Sequence, residues 1–294
     1  MDRAVLVNGF PGISQGGNAK WRIVDVLLVL MLIILNIPVY YFEPFQRQFT
    51  INDITISHPY AEHQTVNDAM LFVYSLVIPL ITIVSVWALF ADAHHKWFLL
   101  YTSVLGLFLS VSADALITNF IKNWVGRLRP DFLARCQPQA GLPLDTLLYA
   151  KDACTTKDLE RLLEGFRTTP SGHSSESFSG LGYLYLWLCG QLLTEHPRSS
   201  LATKAIAFVP LVGASMIAFS RTQDYRHHFV DVVTGSLLGY FFAYFSYHRF
   251  FPSITDPMAF RPLLDDSEVK LNDNDHHILP QDEEMEPIAV RSIS

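Results

Sequence analysis

KAIAFVPLVGASMIAFSRTQDYRHHFVDVVTGSLLGYFFAYF, residues 204–245, sets a knot of charge between two apolar runs. The flanks have the length needed to cross ~30 Å of hydrocarbon at ~1.5 Å per helical residue. The joint between them, 220–231, holds two arginines, two adjacent histidines and two aspartates. A chain that puts so much charge at the rim of two lipid-length segments has something polar to hold there.

Working outward, the same kind of run recurs. Half of the 294 residues are hydrophobic, and they gather into six candidate spans: 23–42, 69–90, 98–120, 178–194, 204–220 and 229–250. The sequence therefore predicts an all-α, polytopic membrane protein with six transmembrane helices. The long polar loop 121–177, between the third and fourth spans, is expected to be structured, because slack connections of that length are uncommon. Within it, KDLERLLEGF places Leu159, Leu162, Leu163 and Phe166 at helical spacing, which predicts an amphipathic helix lying on the membrane or the bundle. The second span carries Pro79, a frequent kink. Asp114 and Asp231 fall inside spans. An intramembrane carboxylate is a functional candidate by default, although Asp114 can equally be tied to a neighbouring helix.

The net charge of −7 describes only a tail. Residues 252–294 hold ten Asp/Glu and three Lys/Arg, which accounts for all of it. The expected organisation is an N-terminal segment 1–22, a six-span domain 23–251 and an acidic, disordered tail 252–294. No basic excess invites nucleic acid. Cys136 and Cys154 share the long loop and can pair if it faces an oxidising compartment; spacing alone leaves that open. Cys189 reads as a packing residue.

An even number of spans puts both ends of the chain on one face. Loops 43–68, 121–177 and 221–228 then share the other. Lys and Arg divide almost evenly between the faces, so charge does not say which one is cytosolic. Three clusters flank the spans on the shared face: KNWVGRLRPDF with Lys122 and Arg129, TTPSGHSSESFSG with Ser171, Gly172 and His173, and the opening joint with Arg221, His227 and Asp231. Each basic residue alone reads most simply as a headgroup anchor. Together they suit a tetrahedral dianion. Arginine binds phosphate through a planar fork, lysine adds a point charge, and Ser171–Gly172 before a helix offer unpaired N–H groups at its positive end.

Two imidazoles add reactivity. His227 and Asp231 stand four apart, so on a helix they share a face. A carboxylate accepting from one ring nitrogen leaves the other free as nucleophile. His173, from another span, suits the general acid. Spacing favours His227 over His228 only weakly. Arg127 and Arg226 are further cations that can meet a second phosphate or merely anchor headgroups.

Lys122-x6-Arg129-Pro130, Pro170-Ser171-Gly172-His173 and Ser220-Arg221-x5-His227-x3-Asp231 resemble the three signature motifs of the type 2 phosphatidic acid phosphatases, also called lipid phosphate phosphatases. NDITISHPY, GLPLDT and RTTPSGHSSESF are similar to the text of the fungal diacylglycerol pyrophosphate phosphatases within that family. The resemblance covers roughly 20–251. It implies removal of the terminal phosphate of diacylglycerol pyrophosphate, and dephosphorylation of phosphatidate and lysophosphatidate, through a phosphohistidine. His227 would be the nucleophile, His173 the acid and Asp231 the orienting group. Lys122, Arg129, Ser171, Gly172 and Arg221 would bind phosphoryl oxygens. It implies no metal or other cofactor and a phospholipid substrate taken from the bilayer, and it leaves self-association open. It also implies an endomembrane, vacuolar setting with the site on the lumenal face and cytosolic termini. Polyprenyl pyrophosphates or sphingoid phosphates are alternative substrates that the motifs do not separate. A catalytically silent lipid-binding relative is a further alternative.

Overall fold

The computed structural model describes residues 21–91 and 96–265. Within them the chain is helical, with isolated backbone bridges and no named strand. The helices are α1 (Ile23–Tyr41), α2 (Asp68–Phe90), α3 (Lys96–Val125), α4 (Phe132–Cys136), α5 (Ala150–Ala153), α6 (Leu159–Glu164), α7 (Gly172–Gln191), α8 (Leu201–Gln223) and α9 (Phe229–Phe250). Five of these, α1, α2, α3, α8 and α9, are long and apolar enough to cross a membrane. α1 shows why: Leu27, Leu30, Ile34 and Ile37 point outward, and only Asp25 and Val29 are buried. A contiguous apolar surface of that kind belongs in lipid.

α7 is different. It begins at Gly172, six residues before the predicted span, and is too polar to count by composition. Yet it is the axis of the bundle, packed against α9, α8 and α3. Its serines are buried because their hydroxyls find partners inside the helix interfaces. Ser175 donates to Asp114 of α3 (2.9 Å), and Ser110 of α3 donates to the Ser179 carbonyl (2.9 Å). Asp114 is thereby tied to a neighbouring helix, with Thr118 also near its carboxylate. Small residues allow the close approach typical of membrane helices. A Cβ on Gly180 would collide with the Ser75 carbonyl of α2, and one on Gly239 of α9 with the Ser175 carbonyl.

α2 reaches that contact through a π-helical turn, Val73–Val77. Pro79 follows at the start of the regular helix, where its missing N–H is accommodated. The irregularity is therefore the π-turn rather than a mid-helix proline kink. α3 has 30 residues, about 45 Å at 1.5 Å per residue. That is longer than the ~30 Å of a bilayer's hydrocarbon, and Lys122 lies in the last turn of α3.

The stretch from 121 to 177 builds a second, smaller core over this end. Phe49, Phe132 and Phe166 are buried and meet edge-on, with ring centroids 4.9 Å apart in both pairs. Leu162 and Phe166 of the predicted amphipathic helix lie in this core while Leu159 stays exposed, so its apolar face is used chiefly inside the loop. A disulfide joins Cys136 to Cys154. Phe49 and Leu148 exchange backbone hydrogen bonds, which fastens the loop after α1 to the cap. Asp131 and Arg135, both buried, form a two-pronged ion pair inside it (2.8 and 2.9 Å).

At the opposite end, Arg249 of α9 donates to both carboxylate oxygens of Asp25 in α1 (3.0 Å each). The acidic tail was expected to be disordered from 252. Residues 252–265 instead fold back on the helix ends: Leu263 donates to the Phe250 carbonyl (2.8 Å), and Gln191 to that of Phe260 (2.9 Å). The reason is compositional, since eight of the ten acidic residues come after 265. The remainder of that tail, and all but the last two residues of the segment 1–22, lie outside the described residues.

Candidate active site

The three clusters meet where α3 ends and α7 and α9 begin. A cavity of 640 Å³ opens there between the bundle and the cap, and Lys122, Arg129, Gly172, His173, Arg221 and His227 all line it. Ser171 and Asp231 are fully buried behind it.

His227 arrives on a tight turn. Tyr225 adopts the left-handed region (φ 53°), unusual for a bulky residue, and its ring stacks on His58 at 4.6 Å. Arg226 and His227 both direct their N–H groups to the Arg221 carbonyl (3.1 and 3.4 Å). The turn carries His227 inward to 4 % exposure. Its Nδ1 lies 2.7 Å from the Thr168 carbonyl. A carbonyl can only accept, so Nδ1 holds the proton and Nε2 is the bare nitrogen. Burial, reinforced by Arg129 and Lys122, pushes the imidazole well below its ordinary pKa. His227 is therefore a neutral imidazole with one fixed tautomer.

Asp231 is not the group His227 donates to, contrary to the expectation from their spacing. α9 starts only at Phe229, so the two residues do not share a helical face. The Asp231 carboxylate accepts from Thr168 Oγ1 (2.8 Å), Thr169 Oγ1, Arg127 (3.0 Å) and the His228 N–H (2.9 Å). Its link to His227 runs through Thr168, whose hydroxyl donates to Asp231 and whose carbonyl accepts from His227 Nδ1. His228 is the cap of α9, pairs with Asp231 and does not line the cavity. Arg127 is likewise spent on Asp231, away from the cavity.

Ser171 caps α7, but its own N–H donates to the Asp231 carbonyl (2.9 Å), so that amide is not free for an anion. Gly172 is better placed. The Lys122 ammonium sits over it so closely that a Cβ there would stand 2.6 Å from Nζ. Arg221 is held by Gln64 (2.9 Å) and Asp224 (2.8 Å). Arg129 pairs with Glu164 (2.9 Å) and keeps a buried Nε without a partner. Burial lowers its guanidinium to about 10 despite Glu164. Burial would raise the Glu164 carboxyl, but Arg129, Lys122 and Arg167 outweigh it and hold it at about 2. His173 Nε2 lies 3.0 Å from the Val66 carbonyl and 3.7 Å from Asp68. Among the described residues, no three His, Cys, Asp or Glu side chains gather as a metal would need.

Thr168, Glu164 and Tyr60 were not expected at the site. Thr168 sits two residues before the Pro170-Ser171-Gly172-His173 motif, and that adjacency was its only signal. Nothing in the sequence distinguishes Glu164 from its neighbours on α6. Beside the polar cavity an apolar one of 1010 Å³ runs between α2, α7 and α8, lined by Met70, Leu181, Val209 and Met216 and reaching Thr65 and Val66.

Residues 103–254 match the PAP2 superfamily. The chain is 63 % identical to diacylglycerol pyrophosphate phosphatase 1 of Saccharomyces cerevisiae, over 92 % of its own length and 94 % of the relative's. It is 38 % identical to a probable diacylglycerol pyrophosphate phosphatase 1 of Schizosaccharomyces pombe, covering 80 % and 83 %. To lipid phosphate phosphatase 2 of Arabidopsis thaliana it is 35 % identical, covering 83 % and 82 %. No solved structure matches the chain.

Proposed function

The chain belongs to the PAP2 superfamily, and from that premise we propose that it is a membrane phosphatase removing the terminal phosphate of diacylglycerol pyrophosphate, and acting on phosphatidate and lysophosphatidate, through a phosphohistidine. One observation carries the reading: three sequence-distant clusters line a single cavity with a neutral, oriented imidazole among the cations.

His227 Nε2 attacks the terminal phosphorus. The bond from phosphorus to the bridging oxygen breaks, its electron pair leaves with that oxygen, and His173 supplies the proton. Water then attacks the phosphohistidine, gives a proton to His173 and releases orthophosphate, which restores His227. Lys122, Arg129 and Arg221, with the Gly172 end of α7, stabilise the phosphoryl oxygens, the main requirement of phosphoryl transfer. Ser171 shapes that end as its cap, and Asp231 is a positioning residue acting through Thr168. No metal is assigned to this scheme. The acyl chains occupy the adjoining apolar cavity, which shares Val66 with the His173 contact.

In this reading α7 is a sixth span, enclosed by the other five. The site then lies on the lumenal face of an endomembrane, the vacuolar membrane by resemblance, with both termini cytosolic. The Cys136–Cys154 bond supports an oxidising compartment for the cap.

The test is phosphate release from diacylglycerol pyrophosphate and phosphatidate in mixed micelles with excess EDTA. His227→Ala is expected to abolish release and His228→Ala to retain it, and vanadate to inhibit. Activity surviving in His227→Ala, or a strict requirement for added Mg²⁺, would overturn the mechanism.

A further inference from the structure

One face of the 640 Å³ cavity plays no part in that chemistry. Tyr60, between α1 and α2, has three guanidinium groups around its ring: Arg161 at 3.6 Å, Arg226 at 4.3 Å and Arg135 at 4.9 Å from the centroid. All four residues line the cavity. Cation–π attraction accounts for one or two such contacts at about 0.5–1 kcal/mol each. It does not account for three like charges brought together.

The three arginines are not equivalent. Arg135 is fully occupied, with Nε and one Nη on Asp131 and the other Nη on the Arg161 carbonyl. Its role is structural. Arg226 is 5 % exposed, yet it reaches Asp131 only at 3.8 Å, donates one bond to the Ala61 carbonyl, and keeps a buried Nε with no partner. Arg161 meets a single carboxylate, that of Glu62, at 3.7 Å, and its Nε is also buried and unpartnered. Asp131 is already committed to Arg135, and Glu62 is largely exposed. Two cations in a confined site therefore lack close counter-charge, and buried unpaired donors are uncommon unless something else satisfies them.

We propose that Arg161 and Arg226 form a subsite for a second phosphate, so that the cavity selects pyrophosphate lipids over monophosphate lipids. The proposal rests on the lipid phosphatase reading above. Its geometry follows from the shared cavity: His227, Arg161 and Arg226 all line it, so a headgroup whose terminal phosphorus faces His227 Nε2 can extend the anion bonded on the far side of that phosphorus toward Arg161 and Arg226. That anion is the departing phosphatidate phosphate, on which charge builds as the phosphoanhydride bond breaks. Arginines there act on the leaving group as well as on binding. Glu62 stands in for the phosphate in the free enzyme.

The experiment compares kcat/KM on diacylglycerol pyrophosphate and phosphatidate of matched acyl chains, using the full chain in micelles. Arg226→Gln and Arg161→Gln are each expected to lower the pyrophosphate-to-monophosphate ratio about tenfold or more, the loss of a charge-assisted hydrogen bond. Glu62→Gln is expected to raise it. Inorganic pyrophosphate should inhibit the wild type more tightly than orthophosphate, and this advantage should shrink in both arginine variants. Arg161 is partly exposed, so its variant remains informative if Arg226→Gln does not fold. Equal loss on both lipids, or an unchanged ratio, would overturn the subsite. A wild-type enzyme inactive on both lipids would overturn the phosphatase reading instead.

Discussion

His227 carries its proton on Nδ1 because the Thr168 carbonyl has nothing to give in return. Its folded pKa is depressed, so the neutral form persists as the pH falls through 6.5, the ordinary value. Long-range ¹H–¹⁵N correlation spectra of selectively labelled protein are expected to show an Nδ1–H imidazole at pH 6.5. A doubly protonated ring at that pH would contradict the assignment. The sign carries over to stability: an unfolded chain would take up a proton at His227 that the folded one refuses, so this histidine's contribution weakens as the pH drops below 6.5. The sequence revealed these residues unevenly. The meeting of His227, His173 and the three cations in one cavity was legible, because all of them flank spans on the same face. The role of Thr168 was not, because its relevant atom is a backbone carbonyl, which residue identity does not encode. The His227–Asp231 spacing misled for a related reason: a four-residue interval implies a shared face only inside a helix, and α9 starts two residues after the histidine.

Among the elements, α7 is the one that hydropathy misjudged. Averaging penalises a serine whether it faces water or, like Ser175, donates to a carboxylate across a helix interface, so the buried, polar first turns of α7 read as loop. The spans at 23–42 and 229–250 were legible to within a residue, since lipid-facing helices reveal themselves through their outer surface. The close crossing of α7 and α2 makes a sharp prediction. Gly180→Ala forces a methyl into the Ser75 carbonyl and is expected to destabilise the protein by about 1–3 kcal/mol, read as a lower Tm in detergent. An unchanged Tm would mean that the two helices can separate freely. In the cap, Cys154→Ser opens a loop of sequence separation 18. A loss of about 3 kcal/mol is expected from chain entropy. Non-reducing electrophoresis should then show no mobility change on adding reductant.

At the scale of the molecule, the active end is a capped cavity and the other end is drawn together by charge. Arg249 and Asp25 join α9 to α1 there, with Arg22 also 3.6 Å from that aspartate and stacked over Phe250 at 5.1 Å. Neither the pairing nor the return of residues 252–265 to the bundle was legible, because both depend on which helices are neighbours. Arg249→Ala leaves a buried carboxylate beside Arg22 alone. It is expected to raise the rate of proteolysis near α1 while leaving the residues around the cavity in place. Equal protease resistance in the variant would show the ion pair to be dispensable. The pairing also bears on biosynthesis. Asp25 enters the bilayer with α1 and Arg249 follows 224 residues later with α9, so this clasp closes only after α1 has settled on α3. Ribosome stalling or truncation between α3 and residue 249 should thus yield a chain whose α1 is seated on α3 but whose Asp25 lacks its Arg249 partner, open to quality-control recognition.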